Sequence, residues 1–130
     1  MSRILVIDDD KFVRASIRVV LEGAGHEVSD ASDAEIGLGL QRANPFDVVI
    51  VDLIMPNKEG LETIRELKTD FPSLPIIAIS GGGEIVRKNF FQAAEVFGAK
   101  LTLEKPFDGR ELLDTVMNAL GMEPSVAVQS

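Results

Sequence analysis

Hydrophobic and polar positions alternate along the 130-residue chain in two distinct rhythms. One is a short, uninterrupted aliphatic run, the pattern of a strand buried on both faces of a parallel sheet. Arg3 to Ile7 (RILVI), Asp47 to Val51 (DVVIV), Pro75 to Ile79 (PIIAI) and, more weakly, Lys100 to Leu103 (KLTL) read this way. His26 to Ser29 (HEVS) is short and alternating, which suits a strand at a sheet edge.

The second rhythm is helical. Lys11 to Glu22 places Phe12, Val13, Ile17 and Val20 on one side, and Gly23 or Gly25 can end that helix with a left-handed cap. Ser32 followed by Glu35 has the spacing of a capping box and predicts a helix to about Ala43, although Gly37 and Gly39 weaken it. Lys58 to Asp70 carries Leu61, Ile64 and Leu67; Glu84 to Phe97 and Asp108 to Leu120 complete the set, Asp108 with Glu111 again suiting a helix start. On Glu84 to Phe97, the residues Val86, Phe90, Ala93 and Phe97 are expected in the core. Phe91 falls off that face, which leaves packing at the flank and an output interface as its two readings. Strand and helix thus alternate five times, predicting a parallel sheet with right-handed crossovers and helices on both faces. Residues 1–120 form the expected domain. The last ten residues, GMEPSVAVQS, lose the helical period and read as a frayed end or the start of a linker.

Composition narrows the function classes. With 45% hydrophobic residues the chain can bury one core. No apolar run approaches the roughly 20 residues that span a bilayer, and no basic-then-apolar leader pattern opens the chain, so a cytoplasmic protein with no membrane partner is expected. Without cysteine there is no disulfide, thiolate metal site or thiol chemistry, and a single His26 excludes a multi-histidine metal site. A net charge of −8 and a sequence pI near 4.6 disfavour direct nucleic-acid binding and favour cationic ligands or basic protein surfaces.

The chemistry lies where the aliphatic runs stop. In an open parallel sheet the ligand crevice lies beyond the carboxyl ends of the strands, where strand order reverses. The first run ends in Asp8 and Asp9, the third in Asp52, the fourth in Ser80, and Lys105 follows the fifth. With strand order 2-1-3-4-5 those ends are neighbours and their polar residues converge. Three clustered carboxylates raise one another's pKa unless a cation neutralises them. All-oxygen ligands without His or Cys select a hard ion, Mg²⁺ before Mn²⁺ or Ca²⁺. An aspartate beside such an ion, an ammonium group and a hydroxyl is equipped to attack a phosphoryl group and form an acyl phosphate. Taken singly, each of these residues has a plainer role: a strand-end Asp as a helix cap, Lys105 as a solvated lysine, Ser80 as a turn residue, Lys-Pro as a turn. Their joint placement at four strand ends favours the site. Asp10 is expected to turn outward and start the first helix, where a carboxylate suits the helix dipole.

These landmarks, ILVIDDD, VVIVDLIMPNKEG, IIAIS and EKPF, resemble those of response-regulator receiver domains over Ser2 to about Leu120. The resemblance implies a flavodoxin-like doubly wound (βα)5 fold, a five-stranded parallel sheet in the order 2-1-3-4-5. It implies a two-component signalling role in which Asp52 accepts a phosphoryl group from a phosphohistidine on a histidine kinase or histidine phosphotransfer protein. Asp9 would bind Mg²⁺ directly and Asp8 mostly through water, with Asp52 and the backbone carbonyl of Ile54 completing the protein ligands. Lys105 would pair with phosphoryl oxygens, its bond to Pro106 being cis in relatives. Ser80 would hydrogen-bond the phosphoryl group once formed and bias a two-state surface towards an output protein. Met55, Pro56 and Gly60 would shape the loop after the acceptor. The start of the first helix, with Lys11, Arg14, Ala15 and Arg18, is where relatives meet the helical phosphodonor domain; a solvated face explains its charges equally well.

The chain departs from the family pattern at several positions. Thr102 stands three residues before Lys105, where relatives commonly hold a Tyr or Phe that swings inward on activation, and the chain has no Tyr or Trp. Gly81, Gly82 and Gly83 follow Ser80, which predicts an unusually mobile loop. A phosphate-cradling loop is the competing reading of these glycines, but no G-K-[ST] follows. Neither Ile54 nor Gly82 can orient a water through its side chain, so slow self-dephosphorylation is expected.

Haloacid-dehalogenase-like phosphatases share part of this chemistry, since Asp8 and Asp10 satisfy their D-x-D. Those enzymes need a further strand ending in acidic ligands, and only one helix and a tail follow Lys105. A receiver domain cut from a larger regulator or hybrid kinase is the other alternative to a single-domain regulator.

Overall fold

A computed structural model describes the chain over residues 1–55, 60–81 and 84–122, without the side chains of 84–87. Ten elements alternate along it: β1 (Arg3–Ile7), α1 (Lys11–Gly23), β2 (Glu27–Ala31), α2 (Ala34–Ala43), β3 (Val48–Asp52), α3 (Gly60–Asp70), β4 (Ile76–Ser80), α4 (Glu84–Phe97), β5 (Leu101–Glu104) and α5 (Gly109–Ala119). The strands form one parallel sheet in the order β2-β1-β3-β4-β5. This is the flavodoxin-like doubly wound arrangement expected from the sequence.

Strand alternation divides the aliphatic runs between two cores. Leu5, Ile7, Val49, Val51, Ile76 and Ala78 face one core, which α2, α3 and α4 close with Ala34, Leu38, Ile64, Leu67 and Ala94. Ile4, Val6, Val48, Ile50, Ile77 and Ile79 face the other, closed by Ile17 and Leu21 of α1 and Leu112 and Val116 of α5. The aliphatic runs 4–7, 48–51 and 76–79 are therefore unbroken because both faces of these inner strands are covered, whereas β2 (EVSDA), at the sheet edge, mixes polar and apolar positions.

Several boundaries differ from the sequence reading for a common reason. Apart from β1, each strand begins one residue later than expected, and β3, β4 and β5 run on to a residue that breaks the aliphatic pattern. Asp52 pairs with Ile79, and Ser80 with Glu104. Parallel pairing is a backbone property and continues through a polar side chain. The helix α2 is capped by Asp33, whose side chain accepts from the Ile36 amide at 2.9 Å, rather than by Ser32. The other caps are as expected: Asp10 accepts from the Phe12 and Val13 amides, and Asp108 with Glu111 forms a reciprocal capping box. Ala24 caps the end of α1, and Gly25 follows at φ +94°, in the left-handed region.

Two helix faces are corrected. On α1 the buried residues are Ile17 and Leu21, while Phe12, expected inside, is 75% exposed because it lies on the first turn, beyond the end of the sheet. On α4 the fully buried residue among the described side chains is Ala94, with both Phe90 and Phe91 packed against the core and Phe97 at the exposed rim. The face is rotated from the expected one, and Phe91 packs. Pro56, Gly82, Gly83, the Val86 side chain and residues 123–130 lie outside the described residues, and with them the expectations of a mobile glycine loop and a linker-like tail.

Candidate functional site

The two-residue alternation that sorts the core also aims the site. Ile4 and Val6 face the α1/α5 side, and Asp8 continues their series one step past the end of β1; Val48 and Ile50 do the same for Asp52. Adjacent strands therefore deliver both carboxylates to one place. Asp8 is fully buried and Asp52 nearly so, whereas Asp9 is exposed. Carboxylate oxygens of Asp8, Asp9 and Asp52 all lie within 4.8 Å of one another. An all-carboxylate donor set of this size fits a hard divalent cation, which keeps water and phosphate oxygens as further ligands.

Lys105 reaches the same point from the turn after β5. Its Nζ donates to Asp8 Oδ2 at 3.0 Å and to Asp52 Oδ2 at 3.5 Å. Its own amide donates to the Ser80 carbonyl at 2.8 Å, which ties the turn to the end of β4. The Lys105–Pro106 bond is cis. Ser80 is fully buried, and its hydroxyl donates to the Gly81 carbonyl at 3.2 Å. Asp8 Oδ1 accepts from the Asp10 amide at 2.9 Å and Asp52 Oδ1 from the Ile54 amide at 3.2 Å, so each buried carboxylate is held by one amide and one ammonium.

Burial is the main electrostatic force on Asp52, and the neighbouring Asp8 adds to it. Together they push its pKa up to about 6 against the opposing pull of Lys105 and the Ile54 amide. Burial alone would lower the pKa of Lys105, but Asp52 and Asp8 outweigh it and hold the ammonium above its ordinary value. Near neutral pH the site thus holds a largely ionised carboxylate beside a firmly charged ammonium.

Behind Asp52 the start of α3 packs close to the end of β3. The Gly60 amide donates to the Leu53 carbonyl at 3.1 Å. A Cβ at Gly60 would overlap the Asp52 carbonyl oxygen and stand 2.5 Å from the Leu53 Cα. Only glycine lets α3 begin this close to the strand that carries Asp52.

A family profile described as the response regulator receiver domain matches residues 4–117. The chain is a receiver domain. Protein CcdB of Bacillus subtilis is 32% identical to it over 122 residues, spanning 93% of this chain and 99% of that protein. Response regulator MprA of a Mycobacterium species (strain KMS) is 38% identical over 111 residues, spanning 85% of this chain; the receiver domain covers 47% of that longer relative, about half its length. The crystal structure of the receiver domain of NtrX from Brucella abortus superposes with a TM-score of 0.85 at 32% identity, covering 91% of this chain and 98% of that one. Chemotaxis protein CheY4 of Vibrio cholerae gives 0.84 at 30% identity, covering 92% and 99%. The family is that of two-component response regulators, and the function of this chain is that of a receiver domain, a phosphoacceptor signalling module.

The remaining sequence-predicted residues of the receiver domain fall into place unequally. Thr102 sits in β5, half-buried and in register with Ala78 rather than at the acidic cluster. Ile54 flanks Asp52 with a half-exposed side chain. Asp10 serves the α1 cap and not the site, which removes the second aspartate of the D-x-D reading. Arg14 was expected on a docking or solvated face. Instead its guanidinium reaches back to the Asp8 carbonyl and to Asp30, a link that no local spacing signals.

Proposed function

We propose that Asp52 is the phosphoacceptor and that Asp8, Asp9, Asp52 and the Ile54 carbonyl hold Mg²⁺, with Mn²⁺ able to substitute. The observation that carries this is Lys105 Nζ, 3.0 Å from Asp8 and 3.5 Å from Asp52 in a pocket with three carboxylates. The ion, when bound, offsets the carboxylate charge and receives phosphoryl oxygens. An Asp52 oxygen forms the new P–O bond as the P–N bond to the donor histidine breaks, and the freed imidazole keeps the electron pair and takes a proton from solvent. Lys105 stabilises negative charge on the transferring group from a fixed position. The Ser80 hydroxyl, now turned to the Gly81 carbonyl, exchanges that bond for one to the phosphoryl group. This exchange is the local event that biases the output surface.

The phosphodonor is a helical domain carrying a phosphohistidine, on a histidine kinase or phosphotransfer protein. Support comes from an apolar groove beside the site, lined by Phe12 and Val13 of α1, by Pro106 and Phe107, and by Lys105 of the site itself. A donor helix seated there reaches Asp52 without crossing the sheet. Residues 1–120 form the receiver unit, in the cytoplasm. Transfer from a phosphorylated kinase, scored in wild type and Asp52→Asn, tests the assignment; label persisting in Asp52→Asn at the wild-type rate overturns it.

Reset is slow by design of the acceptor's surroundings, because Ile54 offers no group to orient an attacking water. Phosphoaspartate in the isolated chain with Mg²⁺ is expected to last minutes or longer. Decay within seconds contradicts this.

A further inference from the structure

The backbone of Asp8 is held in a closed circuit that reaches outside the acidic pocket. Its amide donates to the Ala31 carbonyl of β2 at 3.1 Å. Its carbonyl accepts from Arg14 Nη1 at 2.8 Å, and Arg14 Nε donates to Asp30 Oδ2 at 3.0 Å. Asp30 is the residue before Ala31, so β2, α1 and the end of β1 close into one loop of bonds around the peptide that joins Asp8 to Asp9. Asp30 is itself braced by Arg18 at 3.1 Å, which pairs with Glu22 at 2.8 Å. Arg14 is the better enclosed of the two arginines, its side chain 18% exposed against 37% for Arg18.

The Asp8–Asp9 peptide lies between two of the three carboxylates of the pocket, and rotating its plane swings both side chains. We infer that Arg14 is a positioning residue for the divalent cation: by fixing the Asp8 carbonyl against Asp30 it sets the angle at which Asp8 and Asp9 present their carboxylates. The inference rests on the Mg²⁺ reading of the pocket. A planar guanidinium suits the task, since one rigid group serves two acceptors that a lysine's single ammonium does not replace. Groups that orient metal ligands without touching the metal commonly alter affinity strongly when removed.

The sign of the effect separates positioning from charge. Deleting a cation near a cation site strengthens Mg²⁺ binding by simple repulsion lost, whereas loss of the brace weakens it. The experiment is Mg²⁺ titration of the full chain by calorimetry, well below the unfolding temperature of every variant. Arg14→Ala is expected to bind about tenfold more weakly than wild type. Arg18→Ala removes the same charge and also a bond to Asp30, but no bond to Asp8, and is expected to bind at least as tightly as wild type. Exchange of the Asp8 amide, which donates to the Ala31 carbonyl, is expected to quicken without metal in Arg14→Ala and not in Arg18→Ala. Arg14→Ala binding Mg²⁺ as tightly as wild type, or tighter, overturns the inference. If that variant does not fold, Arg14→Lys, which keeps the charge and the aliphatic stem, decides in the same way. A wild-type chain that takes up no Mg²⁺ overturns the metal reading itself and this inference with it.

Discussion

Asp52 carries its charge at a cost that the surrounding residues only partly offset. Its pKa of about 6 lies above that of a carboxylate in an unfolded chain, so the folded state binds the proton more tightly. The penalty is absent below the unfolded pKa, grows as pH rises through the interval up to about 6, and is complete above it. Asp52→Asn is therefore expected to stabilise the metal-free protein by about 1–3 kcal/mol at pH 8 and to leave it unchanged below pH 4. Chemical denaturation at the two pH values measures this, and equal stabilities at pH 8 contradict it. The same penalty makes the pocket receptive to a cation. Asp8, Asp9, Asp52, Ser80 and Lys105 were legible in the sequence because each interrupts or follows an aliphatic run. Arg14 was not, because its acceptors, Asp8 and Asp30, come together only when β1 and β2 pair.

At the scale of elements, hydrophobic pattern located every strand and helix but misjudged several of their ends and two of their faces. The strands extend to Asp52, Ser80 and Glu104 because backbone pairing ignores side-chain polarity, and in β3 and β4 that last residue is the one that enters the site. For α4 the expected face rested on spacing alone, yet among the described side chains Ala94 is the fully enclosed one, flanked by Phe90 and Phe91. A small residue lets the helix sit close to the sheet and aromatic rings fill its margins, an arrangement that large-residue periodicity does not reveal. Phe91→Ala is accordingly expected to cost about 1–3 kcal/mol, less than truncation of a fully enclosed Phe, while leaving phosphotransfer and partner binding intact. Unchanged stability with a lost partner interaction gives Phe91 to an interface instead.

For the whole molecule, the sheet order brings the site together and leaves its rim to α1 and the turn after β5. No helix among the described residues is long and apolar enough to cross a membrane. Phe12 is 75% exposed and lines the groove beside Lys105, where the proposed phosphodonor helix would meet it. Phe12→Ala is expected to slow phosphotransfer from the kinase roughly tenfold or more, the loss of a buried aromatic anchor, with labelling by acetyl phosphate unaffected. Equal slowing with both donors places Phe12 in the site's architecture rather than in docking.

The central claim is that a carboxylate on β3, and not one of the aspartates after β1, takes up the phosphoryl group with the help of a divalent cation. Labelling with acetyl phosphate, followed by mass spectrometry of intact protein and of the peptide containing Asp52, tests it most directly. Wild type is expected to gain one phosphoryl group on Asp52 in Mg²⁺ and none in chelator, and Asp52→Asn to gain none. Label retained by Asp52→Asn but lost from Asp8→Asn would contradict the account.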